Sequence, residues 1–490
     1  MLTKGYKHQL DGVEKAKGQK NFAYFMEMGT GKSWCLLADA ERLYNEQEIE
    51  CLIILAPKGV YRNWSTKEIP THLSVPYETF VWSASLTDRQ AKQLLSDLFR
   101  QTYKLKIFLV NIEGVLTKRT HKGLERIFNQ FRVLLAIDES TVIKNPSAKR
   151  TKVTLDLAPK AKYRRILTGS PITKSPYDMY AQALFLSPAL LGFSSFLTFR
   201  HYYAIIEKGY SNQMVMRWNP EKKAMEMQRL TFEKVVGYKN LDQLNERIQP
   251  WSYRCLKKDC LDLPEKVYQT RDVDLTPEQI LAYNSMQEQW TMEVGQGSCT
   301  ASIALVKSLK LHQILCGHVT DDLGNTIHIP TKRIDALMDL LDEAQDQKIL
   351  IFCKYKHDAK LIKVALVEKY GEESLVEFHG GVSDKDREVA KQRIQEDDTC
   401  HFFLGSKAAC RGITLTACTL VVFYSYDYDR EAWTQAEDRV HRIGMTKCTI
   451  VHLIVPNSID ETILASHKAK GMIEDQIVNQ VKSLGKLSAA

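Results

Sequence analysis

Apolar positions along the first third of the chain follow two alternating patterns. Short runs, Leu52-Ile53-Ile54-Leu55, Ile107-Phe108-Leu109-Val110, Val133-Leu134-Leu135-Ala136-Ile137 and Arg165-Ile166-Leu167, read as buried strands. Between them, stretches such as Trp34–Asn45 and Asp88–Arg100 place apolar residues at helical spacing. Uniformly apolar strands alternating with helices predict a parallel sheet covered by helices. The pattern returns late, in Ile349-Leu350-Ile351-Phe352, Leu375-Val376-Glu377-Phe378, Cys400-His401-Phe402-Phe403-Leu404, Leu420-Val421-Val422-Phe423-Tyr424 and Thr449-Ile450-Val451-His452-Leu453-Ile454. The expected fold is therefore α/β, with parallel-sheet lobes at 1–185 and 326–460. The segment 186–325 between them is richer in aromatics and Met, with helical patterns at Pro277–Val294 and Ser302–Leu315. A helix and a tail expected to fray after Lys482 occupy 461–490.

Composition narrows the class without naming it. At 490 residues, 44% apolar and 26% charged, the chain has globular proportions and room for two to four domains at about 100–200 residues each. Its net charge of +8 is a mild basic bias, compatible with a polyanionic partner. No apolar run approaches the ~18–20 residues that cross a bilayer, and Met1–Lys7 has no apolar signal core behind its charges. These features predict a soluble, cytoplasmic, unsecreted chain with no membrane partner. The 11 Cys are odd in number and scattered, which predicts a reducing compartment. Cys255 and Cys260 lack a second Cys/His pair at zinc spacing and read as ordinary thiols.

Three stretches carry chemistry. Glu27-Met28-Gly29-Thr30-Gly31-Lys32-Ser33 follows the apolar run Phe22–Phe25 and opens a helix. Its glycines let the backbone wrap a phosphate, Lys32 is placed to reach the β- and γ-phosphates, and the Ser33 hydroxyl can hold Mg²⁺. The usual first glycine of such a loop is absent, since position 26 is Met. Asp138-Glu139-Ser140-Thr141 ends the run Val133–Ile137, and the carboxyl end of a parallel strand is where nucleotide sites are built. Asp138 is the candidate Mg²⁺ holder and Glu139 the residue that polarises the attacking water. In Gln435-Ala436-Glu437-Asp438-Arg439-Val440-His441-Arg442, helical spacing puts Gln435, Arg439 and Arg442 on one face. Such arginines neutralise charge on a transferred phosphoryl group or form a surface stripe. With the phosphate loop in the first block, they suggest an ATP site in a cleft between the blocks.

The ordered motifs resemble the Swi/Snf-type DNA translocases of helicase superfamily two. Tyr6-Lys7-His8-Gln9-Leu10-Asp11-Gly12-Val13 is similar to that family's glutamine motif, which implies that Gln9 reads adenine. Ala56-Pro57-Lys58 with Asn63-Trp64, Asp138–Asn145 and Leu167-Thr168-Gly169-Ser170-Pro171-Ile172 follow in family order. So do Tyr253–Lys266, Leu309–His318, Lys348–Lys354, His379-Gly380-Gly381, Ser406–Leu415 and Gln435–Gly444. Departures are Thr141 in place of His, Met445 in place of Gln, and Cys410, Arg411 and Thr414 within the second lobe's DNA motif.

The resemblance implies two RecA-like lobes with helical insertions, ATP and Mg²⁺ as cofactors, and duplex, forked or branched DNA as partner. The implied site comprises Gln9, Met28, Gly29, Thr30, Gly31, Lys32 and Ser33 around the nucleotide, with Asp138, Glu139, Gln435, Arg439 and Arg442 in catalysis. Lys58, Asn111, Lys354, Ser406 and Lys407 are the implied DNA contacts; Arg411 joins them through its charge, and Lys144, Lys149, Arg150 and Lys152 form a further basic cluster. A monomer of bacterial or phage build is expected, one that remodels forks or junctions rather than nucleosomes. Two other readings remain: the motor of a restriction-type system, for which Glu221-Lys222-Lys223 is the sole nuclease-like tripeptide, and an ATP-gated DNA clamp that does not move.

Overall fold

The computed structural model describes residues 1–57, 60–83, 85–173, 175–219, 224–289, 291–294, 297–300, 304–344, 347–407, 413, 415–426, 429–442, 445 and 447–474. Its contacts form two compact units. The first holds Met1–Glu27 and Gly31–Cys255, the second Met28–Thr30 and Leu256–Gly471.

In the first unit the strands are β1 (Asn21–Met26), β2 (Cys51–Ala56), β3 (Tyr77–Trp82), β4 (Leu105–Asn111), β5 (Val133–Asp138), β6 (Tyr163–Thr168), β7 (Ala204–Asn219), β8 (Ala224–Tyr238) and β9 (Ser252–Cys255). Seven of them form one sheet in the order β3-β4-β2-β5-β6-β1-β9, every neighbouring pair parallel. The apolar runs occupy its centre, where both faces are covered. The edge strand β3 is only half-buried over most of its length, so it lacks the continuous apolar run that marks β2 and β5. On β6, fully buried Arg165 pairs with fully buried Asp39 of the helix Lys32–Asn45 at 2.6 Å. The same guanidinium donates to the carbonyls of Gln19 and Lys20, just before β1. This satisfied buried pair fixes the helix that the phosphate loop feeds.

The second unit contains β10 (Lys266–Asp272), two short hairpins, β11 (Thr291–Val294) with β12 (Gly297–Thr300) and β13 (His318–Thr320) with β14 (Thr326–His328), then β15 (Lys348–Phe352), β16 (Leu375–Phe378), β17 (Phe402–Gly405), β18 (Cys418–Phe423) and β19 (Cys448–Ile454). Six strands make a second all-parallel sheet in the order β10-β19-β18-β15-β17-β16. Arg333 and Asp460, both fully buried, form an ion pair beneath it, and Arg333 also donates to the Tyr424 carbonyl at 2.6 Å. The α/β class with two parallel sheets is as expected.

The middle of the chain differs from the expectation. Segment 186–325 is not one separate block: contacts divide at Cys255/Leu256, and β9 and β10 extend one sheet each. Nor is the segment mainly helical, because β7 and β8 form a long antiparallel ribbon. Alternation such as Met225-Glu226-Met227-Gln228 has the two-residue period of a strand. The helix read at Pro277–Val294 ends at Gln289, with β11 following. The tail beyond 474 lies outside the described residues.

Candidate nucleotide site and basic surface

The candidate phosphate loop, Glu27–Ser33, lies at the carboxyl end of β1. Gly31 caps the helix Lys32–Asn45 with φ +90°, a left-handed conformation, and Gly29 is left-handed at φ +84°. Only glycine adopts this without strain, and here it has a second reason. A Cβ on Gly31 would lie 1.8 Å from Gln9 Nε2, so the absent side chain is what admits Gln9 to the loop. The Gln9 carboxamide oxygen also accepts from the Tyr6 amide at 2.9 Å, fixing the residue at the start of the helix Lys7–Ala16. Lys32 is buried and donates to the Met26 carbonyl at 3.0 Å, so its ammonium folds back over the strand end. Ser33 is half-buried on the first turn, and Met28 and Thr30 are buried.

Asp138 is the last residue of β5, and one strand, β6, separates β5 from β1. Strand spacing places the two strand ends about 10 Å apart. Burial pushes the Asp138 carboxyl above its ordinary pKa; the Lys32 ammonium and the Trp64 indole, which donates to it at 3.0 Å, pull it back down. Glu139 is buried in a left-handed conformation at φ +53°, unusual for a residue with a side chain and a form of strain that collects at functional sites. Ser140 donates to the Gln182 oxygen at 2.6 Å, and Gln182 donates to the Pro171 carbonyl at 2.7 Å. Lys144 donates to the Thr173 hydroxyl at 2.5 Å. The acidic segment is thus tied by side chains to Leu167–Ile172, which follows the neighbouring strand. Arg254 of β9 donates to the Gly169 carbonyl at 2.6 Å in the same segment.

Two of these supports have roles that the sequence reading did not give them. Trp64 stands there in a DNA-strand motif, whereas its indole is buried on Asp138. Arg254 stands there within the motif Tyr253–Lys266, whereas its bond to the Gly169 carbonyl depends on β9 joining the sheet beside β1.

In the second unit the helix Arg430–Val440 carries Gln435 and Arg439, both buried. Arg439 donates to the Ile413 carbonyl at 3.1 Å. Arg442 does not share their helical face: the helix ends at Val440, with His441 as its cap, and Arg442 bends back to donate to the Asp438 carbonyl at 3.0 Å. The buried Asp438 carboxylate accepts from Lys257 at 2.7 Å and lies 3.4 Å from Lys266. Burial raises its pKa, but the two ammonium groups outweigh that and hold it down at about 2. Lys257 also donates to the His441 carbonyl at 2.8 Å, placing a cation on the helix C-terminus.

The implied DNA contacts separate into several environments. Asn111 ends β4 and accepts from the Glu113 amide at 3.2 Å, capping the turn that follows. The Lys407 ammonium pairs with Asp429 at 2.6 Å, and Ser406 donates its amide to the Phe378 carbonyl. Lys354 follows β15 and donates its backbone amide to the Ser425 hydroxyl at 2.8 Å, with its ammonium 5.0 Å from the Tyr355 ring centre. Lys149 and Lys152 are exposed, and Arg150 lies 3.5 Å from Glu113. Lys58, Arg411, the other altered positions Cys410 and Thr414, and the tripeptide Glu221–Lys223 lie outside the described residues.

Two parallel sheets, the first with the candidate phosphate loop and acidic strand end and the second with the Gln/Arg helix in its unit, define the class: a two-lobed α/β fold of the helicase type. The SNF2-related domain matches residues 15–319, and the helicase conserved C-terminal domain matches 332–444. The chain belongs to the SNF2-related family. It is 26% identical over 370 residues to the DNA annealing helicase and endonuclease ZRANB3 of Mus musculus, covering 75% of this chain and 32% of that protein. It is 25% identical over 513 residues to Protein CHROMATIN REMODELING 4 of Arabidopsis thaliana, covering 97% of this chain and 21% of that one. A solved Sulfolobus solfataricus SWI2/SNF2 ATPase core in complex with dsDNA aligns with 23% identity and a TM-score of 0.40, covering 100% of this chain and 97% of that one. The chain spans about a fifth to a third of the length of the two curated relatives. Among the described residues no helix is long and apolar enough to cross a membrane.

Proposed function

We propose that this chain is an ATP-driven translocase that moves along duplex or branched DNA and remodels forks or junctions. The carrying observation is that Gly31, Lys32 and Asp138 lie at the carboxyl ends of β1 and β5, with the Lys32 ammonium acting on the Asp138 carboxyl. In this reading the ATP phosphates draw the Lys32 ammonium off the Met26 carbonyl, and the left-handed glycines turn backbone N–H groups toward the same charge. Gln9, held against Gly31, is placed to read the base. The Ser33 hydroxyl and Asp138 carboxylate are hard oxygen donors of the kind Mg²⁺ takes, and the buried, upshifted Asp138 gains from a cation beside it. A bound Mg²⁺ would neutralise charge on the transferred phosphoryl group. Glu139 orients the attacking water. Gln435, Arg439 and Arg442 of the second unit are proposed as the further polar and cationic groups that ATP hydrolysis requires.

Lys58, Asn111, Lys354, Ser406, Lys407 and Arg411, with the basic cluster Lys144–Lys152, are proposed to track DNA phosphates. The preference for branched DNA draws support from the likeness to ZRANB3, which is named as an annealing helicase. The test is displacement of a third strand from a DNA triplex by a protein moving along the duplex. Wild-type protein should displace it only with ATP and Mg²⁺. Lys32→Ala should abolish hydrolysis and displacement, while Glu139→Gln should bind ATP and stall. ATP hydrolysis at the wild-type rate by Lys32→Ala would end the nucleotide-site assignment.

A further inference from the structure

The ribbon β7–β8 is a feature that the ATPase reading leaves unexplained. Its strands pair with each other in a sheet of their own, from Ala204↔Tyr238 to Asn219↔Ala224. At about 3.3 Å per residue it extends roughly 50 Å. Its base is firmly rooted. The helix Phe196–Tyr203 runs directly into β7, with Phe199 and Tyr203 fully buried in the core of the first unit. Tyr238 packs edge-on to Tyr177 at 5.7 Å, and Glu233 pairs with Arg200 at 3.3 Å. Lys239 donates its amide to the Tyr203 carbonyl at 3.0 Å, closing the base.

The outer half carries an unusual surface. Met225, Met227 and Arg229 alternate along one face of β8, and Met216 of β7 stands opposite Met227. These three methionines are 52%, 58% and 55% exposed in that order, and Arg229 is exposed. A two-stranded ribbon alone buries little and is marginal in water. Three exposed thioethers on such a ribbon mark a contact surface. Nearer the base, Phe232 lies across Gly209, where a Cβ would meet its ring at 2.6 Å, so that ring stiffens the arm. A register shift between Tyr210 and Met214 adds twist to the ribbon.

Charge indicates what covers it. The sequence from Ala204 to Tyr238 has six basic residues against four acidic ones, and Lys208, Arg229 and Lys234 are exposed. A two-stranded ribbon fits the DNA major groove, and apolar side chains including Met wedge between unstacked bases. We propose that β7–β8 is the element that engages the branch point of forked or four-way DNA, with Met216, Met225 and Met227 packing on exposed base faces and Arg229 on a phosphate. This deepens the remodelling reading and rests on it.

The test combines Met216→Ser, Met225→Ser and Met227→Ser in the full chain, with Met→Leu at the same positions as the conservative control. A four-way junction carrying 2-aminopurine at its branch reports base unstacking through fluorescence. Wild type and the Leu variant should change that signal, and the Ser variant should reduce the change at least fivefold. Duplex-stimulated ATP hydrolysis should stay within twofold in all three. Equal junction signals from wild type and the Ser variant overturn the ribbon assignment and leave a protein partner or a second copy as occupant. Parallel loss on duplex and junction also overturns it, by making the ribbon a support for the whole unit. A wild type that works on duplex but ignores branches overturns the remodelling reading, and this inference with it.

Discussion

Lys257→Met removes the closer of two cations from the buried Asp438 carboxylate and, with it, the cap on the His441 carbonyl. The cost can be worked from the site. Asp438 is held at about 2 against an ordinary 3.8, an interval corresponding to about 2 kcal/mol in favour of the folded, charged form. Because its folded pKa is depressed, this stability is present above pH ~4 and is lost as the pH falls toward 2. Removing one partner of a buried pair costs about 3–5 kcal/mol, and Lys266 at 3.4 Å retains part of it. A loss of about 2–3 kcal/mol in a unit of this size lowers Tm by roughly 5–10 °C. Differential scanning calorimetry at pH 7 and pH 4 measures it. The variant should also lose its remaining margin at a higher pH than wild type, since the Asp438 carboxyl climbs toward its ordinary value. The helix carrying Gln435 and Arg439 loses an anchor, so kcat for ATP hydrolysis should fall while KM for ATP stays within twofold. Lys257→Arg, which keeps the charge, should restore most of both. An unchanged Tm and kcat in Lys257→Met would refute the claim that this pair positions the helix.

Arg439→Ala and Arg442→Ala should each lower kcat by orders of magnitude with a smaller change in ATP affinity, since cations on a transferred phosphoryl group are worth ~10³–10⁵-fold in related enzymes. Full DNA-stimulated activity in both variants would return the arginines to a structural role. Gly31→Ala forces a side chain into a left-handed conformation, costing about 1–3 kcal/mol, and drives Gln9 from the loop. ATP binding measured by calorimetry should weaken at least tenfold, and unchanged affinity would show that the loop tolerates a Cβ.

The central strands were legible because parallel strands covered on both faces must be continuously apolar. The runs at 52–55, 107–110 and 133–137 therefore found β2, β4 and β5 directly. Edge strands escape that rule. β3 is half-buried over most of its length, and β9 and β10 are joined to their sheets by partners far away in sequence. The candidate phosphate loop and acidic pair could be placed at strand ends because each follows a continuous apolar run, β1 and β5. The residues that hold them in place could not be read this way. Trp64 on Asp138, Arg254 on the Gly169 carbonyl and Lys257 on Asp438 join positions 74, 85 and 181 residues apart, and no local pattern records such a meeting. Arg442 shows the opposite error: helical spacing was extended two residues past the point where the helix ends.

The measurement that tests the central claim most directly is the steady-state rate of ATP hydrolysis at low salt without DNA, then with single-stranded, duplex, forked and four-way DNA. A translocase should be slow alone and strongly stimulated by duplex, at least as strongly by forks and junctions. Stimulation should fade steeply as salt rises, because phosphate contacts release counterions. Equal rates with and without every DNA would contradict the account and leave an ATPase that does not work on DNA.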